Sequence, residues 1–204
     1  MTKGMCIAYE VGTGLYLNVT NRCPNRCSFC IRNNADGAYG SESLWLEREP
    51  TVEEIVAAVL ERDLTKYTEI VFCGYGEPTV RLYDVTLAIK KIRENYSGKI
   101  RINTNGLSDL IHSRDTALDY SVFDAVSISL NASNSEDYEN ICHPVYKNLA
   151  FPAILKFAEN VNKYVQNTYL SVVGDFLSAD EIEECREIAN KLSIHLRVRD
   201  YVAP

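Results

Sequence analysis

The sequence has little positive charge. Lys and Arg total 21, Asp and Glu total 28, and the formal net charge is −7. Because an acidic surface repels phosphate backbones, we exclude a broad nucleic-acid-binding surface, while a local basic pocket is compatible with this charge.

Long apolar segments are also missing. No run of about 18 apolar residues occurs, and nothing of signal-peptide type follows "MTKGMC". We therefore expect a cytoplasmic protein without a membrane partner. The chain also lacks repeats, low-complexity tracts and linker-like stretches, and its 204 residues suit one core. These absences predict a single domain over residues 1–204.

What the sequence does contain is cysteine, seven in all. The number is odd, and a reducing compartment disfavours disulfides. We interpret Cys6 and Cys185, which stand alone, as small buried hydrophobic residues. By contrast, Cys23, Cys27 and Cys30 lie within eight residues in "CPNRCSFC". Such a cluster indicates metal binding or thiol chemistry.

Short strand-like runs alternate with helix-like runs. "TVEEIVAAVLER" carries a capping box, Thr51 with Glu54, and an apolar stripe at helical spacing. The alternation favours parallel strands with right-handed crossovers. A full barrel of eight units takes about 250 residues, so six units predict a partial (βα)6 TIM-type barrel, with a doubly wound open sheet as the alternative. The predicted strands are "LYLNVT", "EIVFC", "KIRIN", "AVSISLN", "TYLSVV" and "IHLRVRDYV".

Several of these strands alternate apolar and polar residues instead of being apolar throughout. In "KIRIN", Ile100 and Ile102 oppose Arg101 and Asn103. Since side chains alternate faces with a period of two, one face packs on helices and the other lines a polar lumen. We predict that this lumen is a binding site.

Polar, turn-rich segments follow the strands. The first strand leads to the cysteine cluster, the second to "CGYGEPT", the third to "NTNG" and the fourth to "NASNSEDY". The carboxyl ends of parallel strands meet at one rim of a barrel, where ligands bind. The three cysteines lack an obvious fourth partner, although Cys73 or His143 could complete a zinc site. With three cysteine ligands only, a [4Fe–4S] cluster would keep one iron open to a small molecule.

The loop "CPNRCSFC" resembles the C-x-x-x-C-x-φ-C loop of radical S-adenosylmethionine (SAM) enzymes, with Phe29 in the aromatic place. "GYGEPT" resembles the glycine–glutamate motif of that family, and "NTNG" and "SISLN" are similar to its third-strand and fourth-strand segments. The resemblance covers nearly the whole chain. It implies a [4Fe–4S] cluster on Cys23, Cys27 and Cys30, with SAM chelating the fourth iron.

The resemblance also implies a reaction, in which reductive cleavage of SAM yields a 5′-deoxyadenosyl radical that abstracts hydrogen from a substrate. Glu77 would offer its carboxylate to the methionine ammonium of SAM, and glycine would let the backbone approach the ligand. The implied SAM-binding residues are Phe29, Gly74, Tyr75, Gly76, Glu77, Asn103, Ser129 and Asn131.

Five residues are candidates for substrate contact. Arg101, Arg197 and Arg199 lie on polar strand faces, and a guanidinium suits a carboxylate or phosphate, so we expect an anionic small substrate unless acidic residues already pair them. Cys142 and His143, in "ICHP", are expected over the barrel mouth. There they would either donate a hydrogen atom or proton, or belong to a loop that only covers the site.

Size and motifs most resemble the small radical SAM proteins associated with TatD-family hydrolases. The resemblance therefore implies a small-molecule or protein substrate, a low-potential electron donor such as flavodoxin or ferredoxin, and a TatD-family hydrolase as partner. Activases of glycyl-radical enzymes and 7-carboxy-7-deazaguanine synthases are the nearest alternatives. An alternative of another class is a non-catalytic iron–sulfur electron carrier or sensor, against which the SAM-type "GYGEPT" segment argues.

Overall fold

The strands of the protein form one sheet. A computed structural model describes residues 2–201 and arranges seven strands in the order of the chain. Strands β2 to β7 are parallel to their neighbours, and β1 pairs with β2 in the antiparallel sense. The predicted partial α/β barrel is thereby confirmed. The strands are β1 (Ala8–Val11), β2 (Gly14–Asn18), β3 (Glu69–Cys73), β4 (Lys99–Thr104), β5 (Ala125–Ser129), β6 (Thr168–Val173) and β7 (His195–Arg199).

Helices fill the connections between the parallel strands. The predicted capping box of α1 is present, because Thr51 accepts from the Glu54 backbone and Glu54 accepts from the Thr51 backbone. Ser178 and Glu181 form a second capping box at α6. The α-helices of the described residues are α1 (Val52–Leu60), α2 (Leu82–Arg93), α3 (Ser108–His112), α4 (Ser135–Cys142), α5 (Ala150–Val161) and α6 (Ala179–Lys191).

The sequence pattern missed two elements. Strand β1 has four residues, too few to reveal a period, and it turns back into β2 through Gly12, whose φ of 56° favours glycine. Helix α4 begins at an Asn134 cap that accepts from the Asp137 backbone, within a stretch predicted as a loop. Helix α3 is short, because Ser113 adopts a left-handed conformation at its end.

The alternation of strand residues separates two environments. The apolar residues of the strands, such as Leu17, Ile102 and Ile128, are fully buried in the hydrophobic core between sheet and helices. The polar residues line a cavity of about 560 Å³, called the lumen below. The lumen is lined by Tyr16, Glu69, Lys99, Arg101, Asn103, Ser127, His195, Leu196, Arg197, Val198 and Arg199.

No helix within residues 2–201 combines the length and the apolar character needed to cross a bilayer.

Candidate active site at the carboxyl ends of the strands

The three clustered cysteines lie on the loop that follows β2, residues 20–30, called the cysteine loop below. Its backbone is held by the end of α4: the Arg26 amide donates to the Cys142 carbonyl (3.0 Å) and the Ser28 amide to the Ile141 carbonyl (3.0 Å). The Val145 amide donates to the Pro24 carbonyl (2.9 Å) in the same region. The helix that sequence reasoning missed is therefore the support of the cluster loop.

Arg32 fixes the same loop from the other side. Its guanidinium donates to the carbonyls of Asn21 (3.5 Å), Asn25 (3.3 Å) and Tyr75 (3.3 Å). The three acceptors belong to the cysteine loop and to the segment after β3, so one cation joins both motifs. No sequence signal distinguished Arg32 from other basic residues.

Burial makes the thiols of Cys23 and Cys30 poor anions without a compensating cation. It raises the pKa of Cys23 to about 12, and it also raises the pKa of Cys30. Arg32 opposes this effect at both residues, but the net shift stays upward. Metal ligation requires thiolates, so iron bound here would supply the missing positive charge.

The donor set fits an iron–sulfur cluster. All three cysteines are free and partly exposed at the rim. Within residues 2–201, no three ligating side chains converge on a single-ion site. A cubane cluster takes one thiolate per iron, so its ligands surround it instead of meeting at one atom. Soft thiolates alone are the ligands that such clusters prefer.

Two glycines let the segment after β3 lie against the cysteine loop. A Cβ at Gly76 would stand 2.2 Å from the Thr20 carbonyl oxygen and 2.7 Å from that of Arg22. Gly74 has a φ of 121°, and a Cβ there would stand 2.4 Å from Asn18 Oδ1. Any larger residue would separate the two motifs. The glycines were predicted to let the backbone approach a ligand closely. In the structure they let two segments of the protein's own backbone approach each other.

Tyr75, between these glycines, turns its side chain away from the rim. It is 3% exposed, its hydroxyl donates to the Ala35 carbonyl (2.8 Å), and its ring contacts Trp45 at 5.3 Å between centroids. The contact with SAM that was predicted for Tyr75 would therefore be made by its backbone and stays a prediction.

Glu77 is buried, with 4% exposure, and its carboxylate is fully engaged. Oε1 accepts from the amide and hydroxyl of Thr79 (3.1 and 2.7 Å) and from the Thr104 hydroxyl (2.8 Å). Oε2 accepts from the Asn105 amide (2.7 Å). Burial raises the pKa of Glu77. These bonds join the segments after β3 and β4, and the contact with a SAM ammonium stays a prediction.

The predicted SAM-binding residues of β4 and β5 differ in how much hydrogen-bonding capacity remains. Asn103 accepts from Arg101 and donates to Cys73 Sγ (3.6 Å), so its amide is largely used. Ser129 is half-buried at the end of β5. Asn131 lies beyond it with a φ of 59°; its Nδ2 donates to Cys142 Sγ (3.8 Å), but its buried Oδ1 has no partner within residues 2–201. This oxygen therefore keeps the capacity to accept a hydrogen bond from a ligand or a water molecule.

Phe29 contributes an aromatic surface to the rim. Its ring centroid lies 5.1 Å from that of Phe176, which follows β6 and is 41% exposed. Phe176 in turn contacts Tyr201 at 5.3 Å. Phe29 belongs to the cysteine motif of the sequence. Phe176 stands alone in the sequence, and no pattern there indicated a role in the site.

The three arginines predicted to bind substrate do not share one environment. Arg101 donates through two nitrogens to both carboxylate oxygens of Glu69 (3.0 and 2.6 Å). Arg197 lies over the Tyr169 ring, with its Cζ 3.3 Å from the centroid. Arg199 is exposed at the end of β7. Among residues 2–201, neither Arg197 nor Arg199 has an acidic partner.

Cys142 and His143 lie at the end of α4, next to the cysteine loop. Cys142 is fully buried at the last position of α4, and its thiol accepts from Asn131 Nδ2 (3.8 Å). His143 caps the helix with a φ of 43° and is exposed. The pair lies behind the cysteine loop, so the observed role is support, and substrate contact stays a prediction.

The family model described as "Radical SAM superfamily" matches residues 17–189. The chain belongs to the radical SAM superfamily. Its cofactors are therefore those of that superfamily, a [4Fe–4S] cluster and SAM, and the prediction of a radical SAM enzyme is confirmed at this level.

Curated relatives with similar sequences are named as RNA-modifying enzymes. A "Probable dual-specificity RNA methyltransferase RlmN" of Prochlorococcus marinus subsp. pastoris is 29% identical over 92% of this chain and 50% of its own length. A "Dual-specificity RNA methyltransferase RlmN" of Buchnera aphidicola is 25% identical over 94% of this chain and 50% of its length. The chain thus spans about half the length of these relatives.

Solved structures share the fold. Streptococcus suis SuiB bound to S-adenosylmethionine superposes with a TM-score of 0.68 at 16% identity, over 93% of this chain and 40% of SuiB. HydG, a maturase of the [FeFe]-hydrogenase, gives 0.66 at 16% identity, over 94% of this chain and 43% of HydG. At this identity the likeness concerns the fold alone.

Proposed function

We propose that this chain is a radical SAM catalytic domain acting on a small anionic substrate held in the lumen. One arrangement carries the proposal: the cysteine loop packs against the "GYGEPT" segment and against the end of α4, where Asn131 contacts Cys142, and the polar faces of the same strands line a lumen. When bound, the cluster and SAM supply the electron transfer and the 5′-deoxyadenosyl radical needed for hydrogen abstraction.

The chain's own residues bind and orient these groups. Cys23, Cys27 and Cys30 hold three irons, and the glycines keep the backbone of the two rim motifs together. Asn131 Oδ1 accepts a hydrogen bond from SAM, which would satisfy its buried oxygen. Substrate placed in the lumen contacts the polar faces of the strands.

The finer assignments rest on sequence resemblance. A low-potential donor such as flavodoxin or ferredoxin supplies the electron, and a TatD-family hydrolase is the proposed protein partner. Glycyl-radical activases and 7-carboxy-7-deazaguanine synthase-like enzymes stay as alternatives within the same chemistry.

A second candidate function is RNA modification. It is favoured by the RNA methyltransferase names of relatives that align with more than nine-tenths of this chain. The net charge of −7 argues against a broad RNA-binding surface. Incubation of the reduced holoprotein with SAM and ribosomal or transfer RNA distinguishes the two, because only the second candidate predicts a methylated base.

The deciding experiment is anaerobic reconstitution followed by incubation with SAM and dithionite. We expect slow formation of 5′-deoxyadenosine and methionine without added substrate. Cys30→Ala should abolish it, and Cys6→Ala, at a cysteine away from the loop, should not. A protein that carries a full cluster but neither binds nor cleaves SAM would refute the proposal, and would leave the electron-carrier alternative.

A further inference from the structure

The lumen is cationic within an acidic protein. Four of its lining residues, Lys99, Arg101, Arg197 and Arg199, carry positive charge, and Glu69 alone carries negative charge, although the whole chain has a net charge of −7. A concave, low-dielectric surface with one sign of charge concentrates ligands of the opposite sign. This local charge indicates an anionic occupant.

The single carboxylate of the lumen wall is already used. Both oxygens of Glu69 accept from Arg101, and Lys99 Nζ lies 3.6 Å from one of them. Glu69 therefore neutralises positive charge only on the β3–β4 side of the lumen. The β7 side keeps its charge, because Arg197 and Arg199 have no acidic partner among residues 2–201.

Arg197 is held in a defined orientation by an aromatic ring. Its guanidinium carbon stands 3.3 Å from the centroid of Tyr169, which lies on neighbouring β6. Stacking of this kind fixes the plane of the cation and leaves its N–H edge free. No protein acceptor within residues 2–201 receives a hydrogen bond from that edge. A half-buried guanidinium with five unbonded donors is costly unless a ligand or water satisfies them.

Arg199 stands two residues further along the same face of β7. The rise of a strand places the two Cα atoms about 7 Å apart. Arg199 is at the carboxyl end of the strand, and hence nearer the rim, whereas Arg197 lies one layer deeper, opposite Ser171 of β6. The two cations therefore face different parts of the space between rim and lumen.

We propose that Arg197, stacked on Tyr169, anchors an oxyanion of the substrate, a carboxylate or a phosphate, within the lumen. The inference rests on the proposed function, because it supplies the substrate class of the same site. The anion is bound below the rim, so that the carbon to be attacked points towards the cysteine loop. Arg197 is then a specificity-determining residue, and Arg199 is left for charge at the rim, including the carboxylate of SAM.

The test is calorimetric titration of the reconstituted, unreduced holoprotein, first without SAM and then saturated with SAM, with inorganic phosphate and with succinate at constant ionic strength. The wild type should bind at least one of the two saturably, and the one bound identifies the source of the oxyanion. Arg197→Gln should weaken that binding at least tenfold. Arg197→Lys keeps the charge but loses the planar fork, and should give an intermediate loss.

Arg186→Gln is the matched control, since Arg186 is an exposed arginine on α6 that pairs with Glu183. It removes the same charge at a distance from the lumen and should leave anion affinity unchanged. Circular dichroism and SAM affinity, measured on each variant, establish that the fold and the rim are intact.

Three outcomes would overturn the inference: no saturable binding of either dianion, an equal loss in Arg186→Gln, or abolition of anion binding when SAM is added. The last would assign Arg197 to SAM itself. Failure of the proposed function looks different, because anion binding would persist in a protein that does not cleave SAM.

Discussion

The two ends of β3 present two carboxylates in opposite surroundings. Glu69 starts the strand on the lumen wall and pairs with Arg101 and Lys99, whereas Glu77 follows the strand at the rim and accepts only from neutral hydroxyl and amide donors. The hydrogen bond from Arg101 lowers the pKa of Glu69, and burial raises that of Glu77. Glu77 at the rim is thus held by short hydrogen bonds from neutral donors, and Glu69 on the wall by charged partners.

This difference separates two tasks. Around Glu77, backbone contacts and neutral hydrogen bonds fix one geometry. Such a rim suits a cofactor that always binds in the same position. A wall of long charged side chains can adjust to a ligand, and its anion-binding capacity is set by which cations Glu69 leaves free. The comparison predicts that changes at the rim affect cofactor and fold, and changes at the wall affect ligand affinity.

The largest expected effect is at the cysteine loop. The anaerobically reconstituted protein should contain about four irons per chain, and Cys27→Ala should lose most of them, because one of three protein ligands is gone. Cys185→Ala, at a fully buried cysteine within α6, is the control and should retain the iron. Iron and zinc are measured together by mass spectrometry. Stoichiometric zinc without iron in the wild type would contradict the cluster assignment.

The next effect compares the two carboxylates by unfolding. Glu77→Ala leaves the buried donors of Thr79, Thr104 and Asn105 without a partner and should cost about 2–4 kcal/mol in the free energy of unfolding. Glu69→Ala removes the carboxylate partner of Arg101 but leaves its bonds to Asn103 and Tyr16, and should cost less, about 1–2 kcal/mol. Denaturant titration of both variants measures the difference. Equal losses would show that the rim is no more dependent on its carboxylate than the wall.

How far the sequence predicts this site depends on the range of each interaction. The cysteine spacing and the strand alternation are local, so the cluster loop, the rim and the polar lumen were predictable. The hydrogen bonds of Glu77 with Thr104 and Asn105 were not predictable, because these partners lie 27 and 28 residues further along the chain. The contact between α4 and the cysteine loop was not predictable either, because it is made by backbone carbonyls, which every residue type has. The position of Tyr169 could have been predicted, because the period-two alternation along "TYLSVV" places it on the polar face of the strand.

A smaller effect is expected from Asn131, whose free Oδ1 is assigned to SAM. Asn131→Gly keeps the left-handed backbone at no steric cost and removes only the amide, so SAM affinity should fall about tenfold, the equivalent of one hydrogen bond of about 1.4 kcal/mol. Ser193→Gly is the control, because it changes another left-handed residue, in the turn between α6 and the amino end of β7. Titration with SAM measures both. Unchanged affinity in Asn131→Gly would remove Asn131 from the SAM site.

The pH dependence of stability should have opposite signs at the two carboxylates. Glu77 has its pKa raised above 4.5, so the folded state holds the proton more tightly, and its contribution to stability falls as pH rises from 4.5 through the folded pKa. Glu69 has its pKa lowered below 4.5, so its contribution is present above 4.5 and is lost as pH falls through the folded pKa.

Unfolding free energies from pH 3 to pH 7 test these signs. Glu77→Gln should flatten the profile above about pH 4.5, and Glu69→Gln should flatten it below that value. A profile of Glu77→Gln that parallels the wild type above pH 4.5 would show that its four hydrogen bonds outweigh burial.

The smallest effect is expected at Cys142. Its thiol is buried against Cys27 and receives Asn131 Nδ2, but the contacts that hold the cysteine loop run through the backbone carbonyls of Ile141 and Cys142, which a side-chain change leaves in place. Cys142→Ala should therefore keep both the iron content and the cleavage of SAM in the absence of substrate. Once a substrate is known, turnover should also be unchanged, since a fully buried thiol cannot reach the lumen without movement of α4. Normal SAM cleavage combined with loss of product would instead assign Cys142 a chemical role, and would mean that the support behind the rim also takes part in the reaction.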